Sequence, residues 1–498
     1  MITFISVRFN SWRWIKAVSR AQSTKPIQAQ RMYPQEFSFE NYECIGFDLD
    51  HTICRYKLQN LFTLIYKSLA SYLIETYDYP KELAEVSESD FSFAQKGIIL
   101  DKRRGNFLKL DCQYRIVQAT HGTRLLAQEE IYAIYGPNRI WEETKGIPHK
   151  LVMLNALNEP FYVFKDYFVT PGAAICAKLV DFLDQNHGRC LSEYNFWDQY
   201  IEGILYLYER ENFKENKGNY FPELKTHPEL YFRPCSENVK NWLSNLRQNK
   251  VTILLTSANY DAAQFAAEYC LGKDWKKYFH IIITFARKPG FFWRDKPFCI
   301  VSNEDEIEGV KPEDMKSGLI YTQGNFKKLL EVCVKLSKSE NPRVAYIGDS
   351  LMEDVYAPSE LTDNCDTIAI VDEMLAEEMG NASALHDERQ FLFSNFWGSF
   401  FSYKTKNGNN NGNHSLWTHL LSQHSKLTIP SLDSVAKFQI SDKIPCFGVK
   451  NSSFSGFFPG IPESLCSGSI EKENNSQLGE SSTRERKISL HSGLPGII

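Results

Sequence analysis

The sequence predicts an α/β protein: a parallel sheet with helices on both faces, interrupted after its first strand by a large, mainly helical insertion. Three observations carry that prediction. Five short apolar runs read as strands: Glu43 to Leu49, Val251 to Thr256, His280 to Phe285, Arg343 to Ile347, and Thr367 to Val371. Helical patterns such as Ala262 to Leu271 and Phe326 to Leu336 lie between the later ones, and strands alternating with helices build parallel sheets. Polar residues cluster just after the strands, where an open α/β sheet binds its ligands.

The chain opens on residues 1 to 35, which carry Arg8, Arg13, Lys16, Arg20, Lys25 and Arg31 and no acidic residue. With Trp12, Trp14 and Ile15 giving it an apolar side, the segment fits a mitochondrial transit peptide. The alternative is a disordered extension, with Met32 as a serviceable start. Residues 36 to 60 hold the first strand, which ends in Asp48-Leu-Asp50-His-Thr52. Carboxylates at a buried strand end are unfavourable unless a cation or a reacting phosphate needs them. Spaced at i and i+2, Asp48 and Asp50 share one face of an extended chain. Beyond the strand end, their side chains and the Asp50 carbonyl can converge on one Mg2+. A chance loop is the alternative.

About 200 residues separate the first strand from the second, far more than a crossover requires, so residues 61 to 240 are expected to form an inserted cap. Leu61 to Tyr77, Gly172 to Gln185 and Tyr194 to Glu211 read as helical, and Gly97 to Val117 as a hairpin turning near Arg103-Arg104-Gly105. Phe161, Tyr162, Phe164, Tyr167 and Phe168 lie close together. Most belong in a core, and one or two are free to stack on a substrate ring.

Residues 241 to 403 supply the other strands. After the second come Thr256-Ser257-Ala258-Asn259. Hydroxyls and backbone N–H groups there suit phosphate, and an ordinary helix N-cap would look the same. After the third comes Lys288, a cation beside the other tips or a solvated loop lysine. The fourth ends in Gly348-Asp349, with Asp354 about one helical turn onward. Glycine permits a tight turn there, and acidic side chains would complete an all-oxygen site of the kind Mg2+ prefers. Residues 404 to 426 are expected as an Asn-rich linker, 427 to 450 as a segment docking on the core, and 451 to 498 as a disordered tail.

At 498 residues and 43% hydrophobic content the chain supports two or three domains. A net charge of -5 argues against a dedicated nucleic-acid or membrane-surface protein. The twelve cysteines are scattered, without a Cys-x-x-Cys pair or a signal peptide, which reads as reduced thiols in a cytoplasmic protein. No apolar run is long enough to span a membrane.

Taken in order, each after its own strand, Asp-x-Asp-x-Thr, Thr-Ser, Lys-Pro and Gly-Asp-x4-Asp resemble the four motifs of the haloacid dehalogenase (HAD) superfamily of phosphohydrolases. Gly46-Phe-Asp-Leu-Asp-His-Thr52, Ala286-Arg-Lys-Pro-Gly-Phe-Phe292 and Tyr346-Ile-Gly-Asp349 look like its cytosolic purine 5'-nucleotidase branch. Gly105 to Leu110, His121-Gly-Thr123, Tyr321 to Asn325 and Trp397 to Phe401 add to the likeness, which covers about residues 40 to 447.

The resemblance implies a Rossmann-like HAD core and a Mg2+-dependent phosphomonoesterase acting on nucleoside 5'-monophosphates. It implies that Asp48 attacks phosphorus to give an aspartyl-phosphate, and that Asp50 protonates the leaving oxygen and then activates water. Mg2+ would be held by the Asp48 carboxylate, the Asp50 main-chain oxygen and Asp349. Lys288 would neutralise phosphoryl charge, Thr256 and the Ser257 amide would grip its oxygens, and Asp354 would order Lys288 or the waters of the metal. The stretch Tyr167 to Gly172 departs from the pattern, lacking an asparagine that purine nucleotidases place near base and ribose, so no base-binding residue carries over. A nucleoside phosphotransferase and a scaffold protein of the same fold are the rival readings, and a homo-oligomer is left open.

Overall fold

The computed structural model describes residues 36–153, 159–302, 305–377, 391–403 and 413–445. The basic segment 1–35, the Asn-rich stretch to residue 412 and the tail from 446 onward lie outside the described residues. The core is a nine-stranded sheet. Its strands in chain order are β1 (Cys44–Phe47), β2 (Val251–Leu255), β3 (Ile281–Thr284), β4 (Phe298–Ser302), β5 (Asp305–Val310), β6 (Ile320–Gln323), β7 (Val344–Gly348), β8 (Cys365–Ile370) and β9 (Ser425–Ile429). In space they run β5-β4-β6-β3-β2-β1-β7-β8-β9. Every pairing from β6 to β9 is parallel, and β4 is antiparallel to both of its neighbours.

Each of the five strands read from sequence lies in this sheet. Side chains alternate between its two faces, as the period of two requires. Ile45, Phe47, Leu254, Ile282 and Ile347 join one apolar core with Trp242, Leu243 and Leu246 of the helix Glu237–Asn249. Cys44, Ile253, Leu255, Ile283 and Tyr346 join the other with Leu329, Val332 and Cys333 of the helix Phe326–Ser337. Gly46 belongs to the second face, where a Cβ would lie 2.7 Å from Cδ2 of Tyr346. From β1 the chain proceeds to β2 and β3 on one side and later returns to β7 on the other. The order therefore reverses at β1, which opens a crevice beyond its C-terminal end.

Between β1 and β2 the chain forms long helices, Leu58–Tyr77, Pro171–His187 and Trp197–Leu207. It also forms more sheet than the sequence reading expected. The hairpin is present, with Ile99–Asp101 paired to Asn106–Leu110, and it is extended by Ile116–His121, Arg124–Leu125 and Phe161–Val163 into five antiparallel strands. Three-residue strands are too short to show a period, so Phe161–Val163 reads in sequence only as part of an aromatic cluster. His121 props this sheet: Nδ1 lies 2.8 Å from Asn106 Oδ1 and Nε2 2.8 Å from Asp184 Oδ2. The outgoing and returning chains meet as an antiparallel pair, Arg55–Tyr56 with Phe232–Arg233.

The segment read as a linker needs correcting. Leu416–His424 is a helix that buries Leu416, Trp417, Leu420 and Leu421, with Ser415 accepting from the Thr418 N–H as its cap. The polar run stops at Asn413, and the apolar residues beyond it have helical spacing. Ser425–Ile429, at the start of the segment expected to dock, form β9, parallel to β8. Trp397 to Phe401 strap the inserted sheet: Lys109 Nζ donates to the carbonyls of Trp397 at 2.8 Å and Ser399 at 2.5 Å. No described helix is long and apolar enough to cross a membrane.

Candidate active site

β3, β2, β1 and β7 are adjacent and parallel, so the residues just past their C-terminal ends share one edge. Asp48 continues the ladder for one residue, its N–H donating to Ile347 O at 2.8 Å, and Thr256 does the same to Ile283 O at 2.9 Å. This edge gathers Asp48, Asp50, Thr256, Ser257, Lys288, Asp349 and Asp354 around one cavity.

Lys288 is at its centre. Nζ lies 2.8 Å from Asp48 Oδ1, 2.6 Å from Asp354 Oδ1 and 3.0 Å from the Tyr346 hydroxyl, with the side chain 2% exposed. The solvated-lysine alternative is thereby excluded. Burial opposes the charge, but Asp354 and Asp48 outweigh it and hold the Lys288 pKa well above its ordinary value. The loop that delivers it has left-handed φ at Phe285 (48°) and Arg287 (54°), and the Lys288 N–H donates to Ser257 Oγ at 3.0 Å. Arg287 points away from the cluster, exposed, with its guanidinium 4.2 Å from the centroid of the Phe285 ring. Tyr346 steadies the lysine while donating to Leu255 O at 2.9 Å, which explains why Gly46 must leave room for its ring.

Asp354 is fully buried on a π-helical turn, Leu351–Tyr356. Such turns recur at functional sites. Its second oxygen accepts from the Ser350 N–H at 3.1 Å. Gly348 is required by this approach, since a Cβ there would lie 2.4 Å from Asp354 Cγ. Thr256 and Ser257 are not the helix N-cap: Asn259 holds that position ahead of Tyr260–Leu271. Thr256 Oγ1 accepts from the Ala258 N–H at 3.1 Å.

Asp48, Asp349 and Asp354 each place a carboxylate oxygen within 4.8 Å of the others, and all three are buried. Both Asp354 oxygens are engaged by Lys288 and Ser350, so Asp48 and Asp349 are the pair able to hold a cation. Burial pushes the Asp48 carboxyl up against the pull of Lys288, and burial, Asp48 and Asp354 push Asp349 up. Buried carboxylates that outnumber the lysine among them are relieved by taking up protons or a cation. An all-oxygen donor set fits a hard ion such as Mg2+.

Asp50 accepts from the Tyr56 hydroxyl at 2.7 Å on Oδ1. Tyr56 is a site residue the sequence reading missed, because nothing in the spacing from Asp50 marks it. His51 follows Asp50 directly. In the structure it has a left-handed φ of 52°, is 2% exposed and sits among Tyr56, Tyr167 and Phe168, with ring centroids 4.6 to 5.2 Å away. Burial, opposed by Asp372 and assisted by Lys96 and Arg55, pushes its pKa down to about 3.

The folded protein therefore binds fewer protons at His51 than the unfolded chain does between the folded value and the unfolded one near 6.5. That contribution to stability is complete above pH 6.5 and is lost as pH falls. Between pH 6.5 and 5 the wild type is expected to lose roughly 1–2 kcal/mol more than His51→Phe. Urea unfolding at the two pH values checks this, and parallel losses would refute it.

The cavity encloses about 360 Å³. Its walls form a closed ring of aromatic side chains. From Tyr56 the contacts run to Phe168, Tyr208 and Tyr220, and return through Phe221, Phe213, Phe265 and Phe232 to Tyr56, with centroids 4.7 to 6.1 Å apart. All eight line the cavity. Of the five clustered aromatics noted in sequence, Phe168 alone lines it, while Phe161, Phe164 and Tyr167 are buried in the core.

Residues 33–395 match the model of the 5' nucleotidase family. The chain is 35% identical over 457 residues to human 5'-nucleotidase domain-containing protein 1, covering 87% of this chain and 98% of that protein. The bovine protein of the same name is 34% identical over 448 residues, covering 86% and 97%. Rat 5'-nucleotidase domain-containing protein 2 is 25% identical over 324 residues, covering 64% of this chain and 55% of its own length. The nucleotidase likeness read from the motif phrases agrees with these matches.

Proposed function

From the premise that this chain belongs to the 5' nucleotidase family, a family of phosphomonoester hydrolases, we propose a Mg2+-dependent phosphomonoesterase that hydrolyses nucleoside 5'-monophosphates. The observation that carries this reading is Lys288 Nζ held between Asp48 at 2.8 Å and Asp354 at 2.6 Å at the floor of an aromatic cavity. In this reading the nine-stranded sheet is a Rossmann-like HAD core and the insertion is its cap.

Asp48 attacks phosphorus in line: its carboxylate oxygen bonds to phosphorus as the ester oxygen leaves. Asp50 gives its proton to that leaving oxygen. Burial pushes the Asp50 carboxyl up, towards the protonated form, while Tyr56 and Lys288 pull it down. Because Tyr56 occupies Oδ1, Oδ2 carries the proton. Asp50 then takes a proton from the water that hydrolyses the aspartyl-phosphate. Thr256 and the Ser257 amide grip the phosphate, and Lys288 balances its charge. The Asp48 and Asp349 carboxylates with the Asp50 main-chain oxygen would hold Mg2+, whose charge offsets that of the phosphoryl oxygens. Asp354 keeps Lys288 in place. The described cysteines are all free thiols, consistent with a cytoplasmic enzyme.

Phosphate release from a panel of nucleotides and sugar phosphates, with Mg2+ and with chelator, tests the reading. Release should require the metal and return when it is restored; no release from any compound would overturn the proposal. Independently of turnover, Mg2+ at roughly a hundred times its Kd should stabilise the fold by about 2.7 kcal/mol. Thermal melts should show that gain in the wild type and not in Asp349→Asn.

A further inference from the structure

The aromatic ring bears on what the enzyme recognises, an inference that rests on the hydrolase reading of the same cavity. The floor is polar, and above it several hydrogen-bonding groups of the wall are engaged by the protein, the Tyr220 hydroxyl being left over. The Tyr56 hydroxyl donates to Asp50 at 2.7 Å and the Tyr208 hydroxyl to Phe168 O at 2.8 Å. Arg210 Nε donates to Asp261 Oδ2 at 2.7 Å, and Glu353 is paired with Lys165. Asn259 lies directly after Ser257-Ala258, at the phosphate end. The apolar part of the wall includes Phe213, Phe221, Leu224, Ala262 and Phe265.

One nucleobase is told from another by donors and acceptors on its edge, and a site built to hydrogen-bond that edge rejects the wrong partner by roughly 10⁴ to 10⁵. A wall of ring faces and edges has no such reach, and a lone tyrosine hydroxyl, able both to donate and to accept, matches no one base over another. Such a wall binds any flat π-surface, and stacking of that kind tolerates every base. We propose that the closed aromatic ring selects phosphomonoesters by a flat aromatic leaving group and does not read the hydrogen-bonding edge of a base. The substrate class is thus aromatic phosphomonoesters, with nucleoside 5'-monophosphates accepted largely irrespective of base.

The test compares AMP, GMP, CMP, UMP, 1-naphthyl phosphate and ribose 5-phosphate. The first five should have kcat/KM within about tenfold of one another, and ribose 5-phosphate should fall roughly 10- to 100-fold below them, the range that loss of one stacked ring produces. In Phe265→Leu, which keeps an apolar side chain at a half-buried position, the advantage of the aromatic substrates over ribose 5-phosphate should shrink by roughly 3- to 10-fold. One base preferred by more than about 10³-fold, or ribose 5-phosphate turned over as well as the nucleotides, would overturn the inference. Binding of AMP and UMP to Asp48→Asn separates the two levels. Similar Kd values for both nucleotides, with no turnover by wild type, would support the recognition and sink the hydrolase. A large difference between their Kd values would sink the recognition whatever the turnover.

Discussion

Asp48→Asn should release no measurable phosphate, with kcat reduced by roughly 10⁴ to 10⁶. No neighbouring group can take over the attack. Asp354 has both oxygens engaged by Lys288 and the Ser350 N–H, and Asp50 has one tied to Tyr56. Asp349 lies beyond the tip of β7, where the proposal has it holding the metal. The variant should also remain folded. It removes one of several buried carboxylates set around a single lysine, and the Lys288–Asp354 pair at 2.6 Å survives. A phosphate-release assay paired with a urea titration separates the two effects. Activity equal to wild type would place the nucleophile elsewhere.

Lys288→Met should fail on both counts. The methionine keeps the apolar stem against Tyr346 but leaves Asp48 and Asp354 buried without their cation. Breaking a buried ion pair from one side costs about 3–5 kcal/mol. Loss of charge opposite the transferring phosphoryl should lower kcat by roughly 10² to 10³. The direction of the lysine's shift sets the pH dependence. A raised folded pKa means that its contribution is complete below the unfolded value near 10.4 and is lost only as pH climbs through the folded one. The stability gap between wild type and variant should therefore persist across pH 7 to 9. Lys288→Arg should not rescue activity, because a planar fork cannot occupy the point shared by Asp48, Asp354 and the Tyr346 hydroxyl. Urea midpoints for Lys288→Met within about 1 kcal/mol of wild type would contradict the argument.

The strands at the centre of the sheet were legible because both of their faces are covered, so β1, β2, β3 and β7 read as unbroken apolar runs. Their polar ends stood out against that background, which is why Asp48, Asp50, Thr256, Ser257, Lys288, Asp349 and Asp354 could be named and do converge. The partners of these residues were not legible. Tyr56 and Tyr346 act through contacts with residues distant in sequence, and His51 acts through packing. The aromatic ring draws on segments near residues 56, 168, 208–232 and 265, each of which alone looks like ordinary core. The helix Leu416–His424 was hidden by its closeness to the Asn-rich run. β5 escaped notice because polar residues interrupt its apolar pattern, whereas β4, Phe298–Ser302, is a short apolar run that its antiparallel pairing at the sheet edge set apart from the strand–helix alternation.

The central place of β1 bears on the making of the molecule. Cys44 is aligned with Val251 on one side and Val344 on the other, so the first strand of this sheet to leave the ribosome has its neighbours more than 200 and about 300 residues downstream. At roughly 5–20 residues per second, some 15 to 60 s pass before the second neighbour is even synthesised. Throughout that interval the strand bearing Ile45 and Phe47 keeps at least one sticky, unpaired edge. The insertion is made in the meantime, but its own sheet is completed by Trp397 to Phe401, which are synthesised later still. Polypeptides that stop before Val344 never acquire the second neighbour and should accumulate as aggregates, whatever the quality of their active-site residues.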